Sequence, residues 1–420
     1  MTNRQWFALH SWAGFVLGCL LLLVCVSGVL ATLSYEIQYL SDSKYRALTP
    51  RSAAVNWAQL EQNLAAAYPD SQLISAQVHQ QRYLAGEAAL ATPTGFRFAY
   101  FDPASGALTG SGDWGRLSRF LRNLHMYLSM GSSGKVIVTS LSFLLLISVI
   151  SSFFVYRNWW RQWFRHPGTW RWAVRNSWAS WHKLIGLWSW WFVLLMTVTG
   201  LWYFAEHWLL RSELAYYPPP PTAALSAAPP ATAANKPLSL AGITAIAQAQ
   251  RPELDIRAVL YNSHVKAPIV LSGQDDTVLV RDRANRIYLD SSGQLLGRQY
   301  AAELGLLARL SDMADPLHFG NFSGLTVKLI YSLFGSGLCI LVAGGMRMHW
   351  LRTKHKQPHL ARWLGVFGWL ALALALSSIV WTAATFSKRE LNRLPLSPLL
   401  GSVLQQPAAQ PSCSSTAAAC

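Results

Sequence analysis

The chain has 420 residues, 52% of them hydrophobic and only 13% charged, with 20 tryptophans, whereas a soluble domain carries about a quarter charged residues. A net charge of +16 could suit nucleic acid, but the basic residues cluster beside long apolar stretches, which is a membrane-topology pattern and excludes a nucleic-acid partner. Five cysteines without a CxxC spacing exclude a zinc ribbon, a thioredoxin-like motif and covalent haem attachment.

In chain order, residues 1–36 form a first span, with Arg4, Trp6, Phe7 and Trp12 at its start. Its apolar run exceeds a signal-peptide core, so it is expected to stay uncleaved. Residues 37–115 are patterned as a small α+β unit. Trp57 to Tyr68 has helical periodicity, Phe96 to Phe101 reads as a strand, and Asp102 to Gly106 as the turn of a hairpin. Residues 116–156 comprise an amphipathic interfacial helix and the second span. Leu117, Leu121, Leu124, His125 and Leu128 share one side of that helix, and Arg116, Arg119 and Arg122 recur around the other.

Residues 157–183 contain Arg157, Arg161, Arg165, Arg171, Arg175 and Lys183 with no acid, among many tryptophans. This is a positive-inside loop with an aromatic belt, which puts the N-terminus in the cytoplasm and residues 37–130 outside. The third span covers 184–205. Residues 206–315 hold a linker running from Pro218 to about Pro237 and a second α+β unit, whose Asp290 to Gly293 hairpin echoes the first. Residues 316–347 form the fourth span, 348–362 a second basic loop, 363–386 a fifth span, and 387–420 a disordered external tail containing Cys413 and Cys420.

The fold class read from this order is a membrane protein. An all-α transmembrane bundle of four core spans in tandem repeat, plus a fifth, carries two small α+β units. His10 has a Gly four residues on and another eighteen on, Gly14 and Gly28; His182 has Gly186 and Gly200 at the same offsets. Eighteen residues make five helical turns of about 27 Å in all, close to the bilayer core, so each His and its glycines are expected on one helix face. His125 and His318 pair likewise, each ten residues before a lysine, Lys135 and Lys328.

Two histidine couples at opposite membrane faces suit bis-His haem ligation, with the glycines leaving room for the porphyrin. His10 and His182 would ligate one iron and His125 and His318 the other, with His349 as the rival ligand at the inner face. Asp315 and Pro316 read as the cap and first position of a helix, which would place His318 in a first turn that disfavours imidazolium. Arg116, Arg119 and Arg122 are candidates for the haem carboxylates. A zinc site would need its ligands clustered at one face. His79, His166, His207 and His264 lack repeat partners and read as structural or surface residues.

These features, namely the two His-Gly-Gly patterns, the Leu124-His125 and Leu317-His318 pairs with Gly131, Gly134, Gly320 and Gly324 after them, and the Tyr-x-Asp hairpins at Asp102 and Asp290, resemble the PepSY-associated transmembrane family of bacterial inner membranes. Within it the chain is similar to the FoxB-like ferric-siderophore reductases. The resemblance implies periplasmic PepSY-like units, two haem b groups and outer-sphere reduction of a ferric-siderophore or other iron chelate on the periplasmic side, without a catalytic acid or base. No nucleotide fingerprint occurs in the basic loops, so the donor is expected to be a separate cytoplasmic reductase or a membrane quinol. The alternatives are a haem-free regulatory or peptide-binding membrane protein, and a diheme conduit to copper, a quinone or a redox protein.

Overall fold

The computed structural model describes residues 1–49, 54–93, 95–209, 238–261, 268–282, 284–290, 292–353 and 360–386, together with Pro218 and Pro221. Most of the Pro-rich linker, His264, Ser291, His355, His359 and the tail with Cys413 and Cys420 lie outside the described residues.

The first apolar stretch is two helices rather than one. Helix α1 (Asn3–Ala13) starts at a capping box made by Thr2 and Gln5, and α2 (Gly18–Thr32) follows at a bend of 61°. Leu17 leaves helical geometry at φ −119° and ψ 25°. The bend lets α1 pack on α6 while α2 packs on α5 and α10. It also separates His10 and Gly14 from Gly28, which the uninterrupted spacing had placed on one helix face.

A short helix α3 (Ser34–Ser41) leads into α4 (Trp57–Ala67) and strands β1 (Gln72–Gln77), β2 (Gly86–Thr92), β3 (Gly95–Phe101) and β4 (Leu108–Gly112). The interfacial helix α5 (Leu117–Tyr127) ends where Leu128 takes φ 47°, and α6 (Gly131–Val155) is the next apolar helix. Helix α7 (Arg175–Leu209) is a single long helix. Helix α8 (Leu240–Gln250) precedes β5 (Asp255–Leu260), β6 (Ile269–Gln274), β7 (Asn285–Leu289) and β8 (Leu295–Gln299). Helices α9 (Leu306–Phe319), α10 (Gly324–Thr353) and α11 (Leu360–Phe386) complete the described chain. Among the described residues four helices are long and apolar enough to cross a membrane, or five spans if the bent α1–α2 pair counts as one.

The strands form one sheet in the order β4-β3-β2-β1-β5-β6-β7-β8, antiparallel throughout. The two α+β units expected from the sequence are thus fused at β1 and β5, where Ala76 pairs with Val259. Helices α4 and α8 lie together on one face. Leu60, Leu64, Leu240, Ile243 and Ala247 are buried there with Ala76, Val259, Leu271 and Ile287. The backbone N–H of Leu240 donates to Glu61 Oε2 at 2.8 Å, tying the two helices. The fusion follows from burial: neither four-stranded half has a β1 or β5 edge that could face water without leaving ladder groups unpaired.

Both hairpin aspartates fold their own turns, as short acidic side chains do when they accept nearby backbone N–H groups. Asp290 Oδ1 accepts from the N–H groups of Ser292 and Gln294, each at 2.8 Å. Asp102 is fully buried; Oδ1 accepts from Leu48 N–H at 3.0 Å and Thr49 N–H at 3.1 Å, and Oδ2 from Ser105 Oγ at 2.6 Å. Gly106 beside it takes φ 70°, and a Cβ there would lie 2.5 Å from Leu60 N.

Burial alone would raise the Asp102 pKa, but the hydrogen bonds from Ser105, Thr49 and Leu48 outweigh it and hold the carboxyl below its ordinary value. A depressed folded-state pKa stabilises the fold above the unfolded value and loses that contribution as pH falls through the folded one. Asp102→Asn is therefore expected to cost about 1–2 kcal/mol at neutral pH. The gap to the parent should close as pH drops below about 4, the ordinary carboxylate range. Thermal unfolding of both proteins across pH 3–7 checks this; a gap that stays constant would contradict it.

Candidate functional site

Four half-buried imidazoles meet in two pairs. His10, in the last turn of α1, and His182, on α7, have ring centres 6.3 Å apart. His125, near the end of α5, and His318, near the end of α9, have ring centres 6.1 Å apart. Helix α7 serves both pairs, carrying His182 and, seventeen residues on, Thr199 against His318. Seventeen helical residues span about 25 Å, so the pairs lie at opposite ends of the bundle.

In three of the four rings the protein also sets the tautomer. His125 Nδ1 lies 2.9 Å from Val24 O, an atom that only accepts, so Nδ1 carries the proton. His10 Nδ1 lies 3.2 Å from Ser148 O and 3.0 Å from Ser151 Oγ. The Ser151 hydroxyl already donates to Ile147 O at 2.6 Å. His318 Nδ1 lies 2.8 Å from Thr199 Oγ1, whose hydroxyl donates to Leu195 O at 2.8 Å. With Nδ1–H donating in each case, Nε2 keeps a bare lone pair, the form in which imidazole binds a metal. His182 differs: its Nδ1 is buried without a hydrogen-bond partner, beside the backbone at Gly344 and Gly345.

Helix α9 corrects the placing of His318. It begins at Leu306 and contains Pro316, so His318 lies in its last turn and not its first. Asp315 does not cap the helix; it accepts from Tyr203 OH at 2.9 Å and pairs with Arg281 Nε at 2.9 Å. The helix dipole at a C-terminus favours imidazolium, yet burial first, and His125 second, push the His318 pKa down to about 3. Burial likewise lowers His125, against the opposing pull of the Val24 carbonyl. Both rings are held neutral by desolvation and not by the helix terminus.

The glycines seat side chains rather than leaving an open slot. A Cβ on Gly28 would lie 2.8 Å from His125 Cε1, one on Gly200 2.9 Å from Ser142 Cβ, and one on Gly186 3.6 Å from Leu341 Cδ2. Gly14 caps the C-terminus of α1.

The arginines go elsewhere too. Arg116 and Arg119 both ion-pair with buried Glu87 on β2, Arg119 at 2.6 Å, and the Arg119 guanidinium lies over the rings of Phe98 and Trp114. They lock the sheet onto α5. Arg122 Nε contacts Met126 Sδ at 3.3 Å on an exposed surface. His349 stacks on Phe15 at 4.1 Å, and its Nδ1 lies 3.1 Å from Arg352.

Two buried charge clusters escaped the sequence reading. Lys328 Nζ pairs with Glu36 at 2.6 Å, with His79 packed on neighbouring Tyr35 at 4.6 Å. Arg281 bridges Glu206 at 3.0 Å and Asp315. Acids flanking apolar runs, such as Glu36 and Glu206, were the available signal. Among the described residues no three His, Cys, Asp or Glu side chains converge on one point.

A methyl at Gly28 has to displace the His125 ring. Gly28→Ala is expected to cost about 1–3 kcal/mol by overpacking, whereas Gly186→Ala should change stability by less than about 0.5 kcal/mol, as an uncrowded substitution does. Thermal unfolding in detergent separates the two; equal effects would mean the His125 contact is not what confines Gly28.

A family model described as PepSY-associated TM region matches residues 7–352. No curated protein matches the sequence.

Proposed function

The chain belongs to the PepSY-associated TM region family, and on that footing we propose that this membrane protein is a diheme b-type electron conduit of the bacterial inner membrane. It would reduce a ferric-siderophore on the periplasmic side, so that Fe(III) leaves as Fe(II). The observation that carries this reading is the pair of imidazole couples at 6.3 and 6.1 Å. Those spacings leave room for one first-row metal ion between the two imidazoles of a couple, with each nitrogen at about 2.0–2.1 Å from it.

The donor set supports haem over a bare metal ion. Each couple offers two ligands and, among the described residues, no third His, Cys, Asp or Glu converges there, whereas a structural zinc site takes four protein ligands. A haem would supply the remaining donors, and the two imidazoles of each couple would be the protein's own ligands to its iron. Haem b, when bound, would provide a one-electron iron couple at each end of the bundle.

The rest is the work of this chain's own groups. His10 and His182 would hold the inner iron, and His125 and His318 the outer. Ser148 and Ser151, Val24, and Thr199 orient three of the four rings through Nδ1 and raise their basicity as ligands. The fused sheet, clamped to the bundle by Glu87 with Arg116 and Arg119, and by Arg281 with Asp315, would present the periplasmic surface on which the iron chelate rests. The similar His-Gly-Gly spacing and matching hairpin turns of the two halves support a duplicated chain. The electron donor would be a separate cytoplasmic reductase or a quinol.

Purified protein should show a Soret band, sharp reduced α and β bands, and two haems per chain. His318→Ala should remove one haem and abolish reduction of ferric chelates while leaving the other spectrum intact; retention of both haems would refute the pairing. Thr199→Val, which keeps the side-chain shape but removes the acceptor for His318 Nδ1, should weaken outer haem affinity about 10–100-fold, as loss of an outer-shell partner does. Competitive transfer of haem to an apo-globin measures it. A colourless, folded protein would favour the haem-free regulatory alternative.

A further inference from the structure

The inner histidine couple is bordered by polar atoms with nothing to bond. Trp181 Nε1, His182 Nδ1 and Arg347 Nε are all buried without a hydrogen-bond partner. A buried donor left unsatisfied carries its full desolvation cost, so such atoms call for an explanation.

Their placement groups them. Helices α7 and α10 run antiparallel, because Ser189 Oγ lies 3.0 Å from the Cβ position of Gly337 while His182 Nδ1 lies 3.8 Å from that of Gly344. Arg347 is three residues past Gly344, which puts it nearly one turn, about 4.5 Å, further along the same side of α10. Trp181 packs on Trp170, with ring centres 5.7 Å apart, and Trp170 packs on Trp178 at 4.4 Å. The Arg347 guanidinium sits over Trp172 at 5.2 Å, and Trp172 packs on Trp178, whose ring lies 3.3 Å from the Gly344 Cβ position. The aromatic cluster therefore holds the guanidinium by its face and leaves Nε unbonded beside the inner couple.

Among the described residues there is no carboxylate to offer there. Residues 1–35, 116–205 and 316–389, which include every apolar span, contain neither Asp nor Glu. At the other end of the bundle each buried cation has its own acid: Arg116 has Glu87, Lys328 has Glu36 and Arg281 has Glu206. Arg347 is half-buried, with its Nε shielded from solvent, where the sequence withholds such a partner.

We propose that Arg347, aided by the Trp181 indole N–H, binds the carboxylates of the haem ligated by His10 and His182. The inference rests on the haem reading above. It moves the carboxylate-binding role from the arginines of α5, which Glu87 occupies, to the last turns of α10. A guanidinium bonds a carboxylate through charge-assisted hydrogen bonds, and the indole adds a neutral donor.

The test uses full-length protein in the His318→Ala background, which isolates the inner site. Apo-protein is titrated with haem and with haem dimethyl ester, whose carboxylates are blocked. With Arg347 present, free haem should bind about 10–100-fold more tightly than the diester, the range expected of a hydrogen bond to a charged group. Arg347→Met should lose most of that preference while binding the diester as tightly as the Arg347-containing protein does, which also demonstrates an intact pocket. Arg347→Lys should recover part of the preference. Should Arg347→Met not fold, Trp181→Phe decides, and a smaller loss in the same direction is expected. Undiminished preference for the free acid in Arg347→Met overturns the proposal. So does undiminished preference accompanied by loss of co-purified anionic phospholipid, which would assign Arg347 to a lipid headgroup. If the Arg347-containing protein binds neither porphyrin, the haem reading itself has failed, a result distinct from failure of the carboxylate assignment.

Discussion

A neutral imidazole set among apolar helices costs free energy unless a nitrogen is hydrogen-bonded, and three of the four rings meet that requirement in a way that organises the bundle. Val24 O, Ser148 O with Ser151 Oγ, and Thr199 Oγ1 each take an Nδ1 proton. Each bond fixes a ring orientation and leaves the opposite nitrogen bare. The bend between α1 and α2 follows from the same demand. It turns His10 toward α6 while α2 continues to the level where Val24 meets His125 and Gly28 makes room for its ring. Helix α7 then sets the distance between the two couples, since it is unbroken from Arg175 to Leu209.

Charge is distributed with equal economy. Every acid of residues 1–389 falls within 36–113 or 206–315, the stretches that build the sheet and its junction with the helices. There they neutralise buried cations: Glu87 serves Arg116 and Arg119, Glu36 serves Lys328, and Arg281 gathers Glu206 and Asp315. Removing one member of such a cluster strands a charge in low dielectric, so these pairs specify how the sheet docks. The His10 end has cations and no acids. Among the described residues, that asymmetry leaves Arg347 without an acidic partner.

The fused sheet gives the two halves a common platform. Pairing of β1 with β5 joins them edge to edge, and α4 and α8 cover the seam on one face. Each half alone would expose a strand edge. Together they make one eight-stranded surface, anchored to both ends of the helical order through α5 and α9, the helices that carry His125 and His318.

Much of this was legible in the residues. Hydropathy located the spans, because apolar length is a local property. The hairpin turns at Asp102 and Asp290 were readable because an aspartate accepts from its own neighbours. The matched spacing of His10 with His182 and of His125 with His318 named the couples that the fold brings within 6.3 Å. What failed depended on partners distant in sequence. Pro316 looked like a helix start because proline is welcome there; packing of α9 against α7 carried the helix through it. Arg116 and Arg119 looked available because Glu87, on the far side of a hairpin, had no sequence signature as their partner. Gly28 looked like ligand space until the His125 ring filled it. The sequence by itself determined which residues lie in apolar helices and which imidazoles correspond. Only the tertiary structure decided the ring tautomers, the partner of each arginine and the joining of the two sheets, because those depend on which groups from separate elements come within hydrogen-bonding distance.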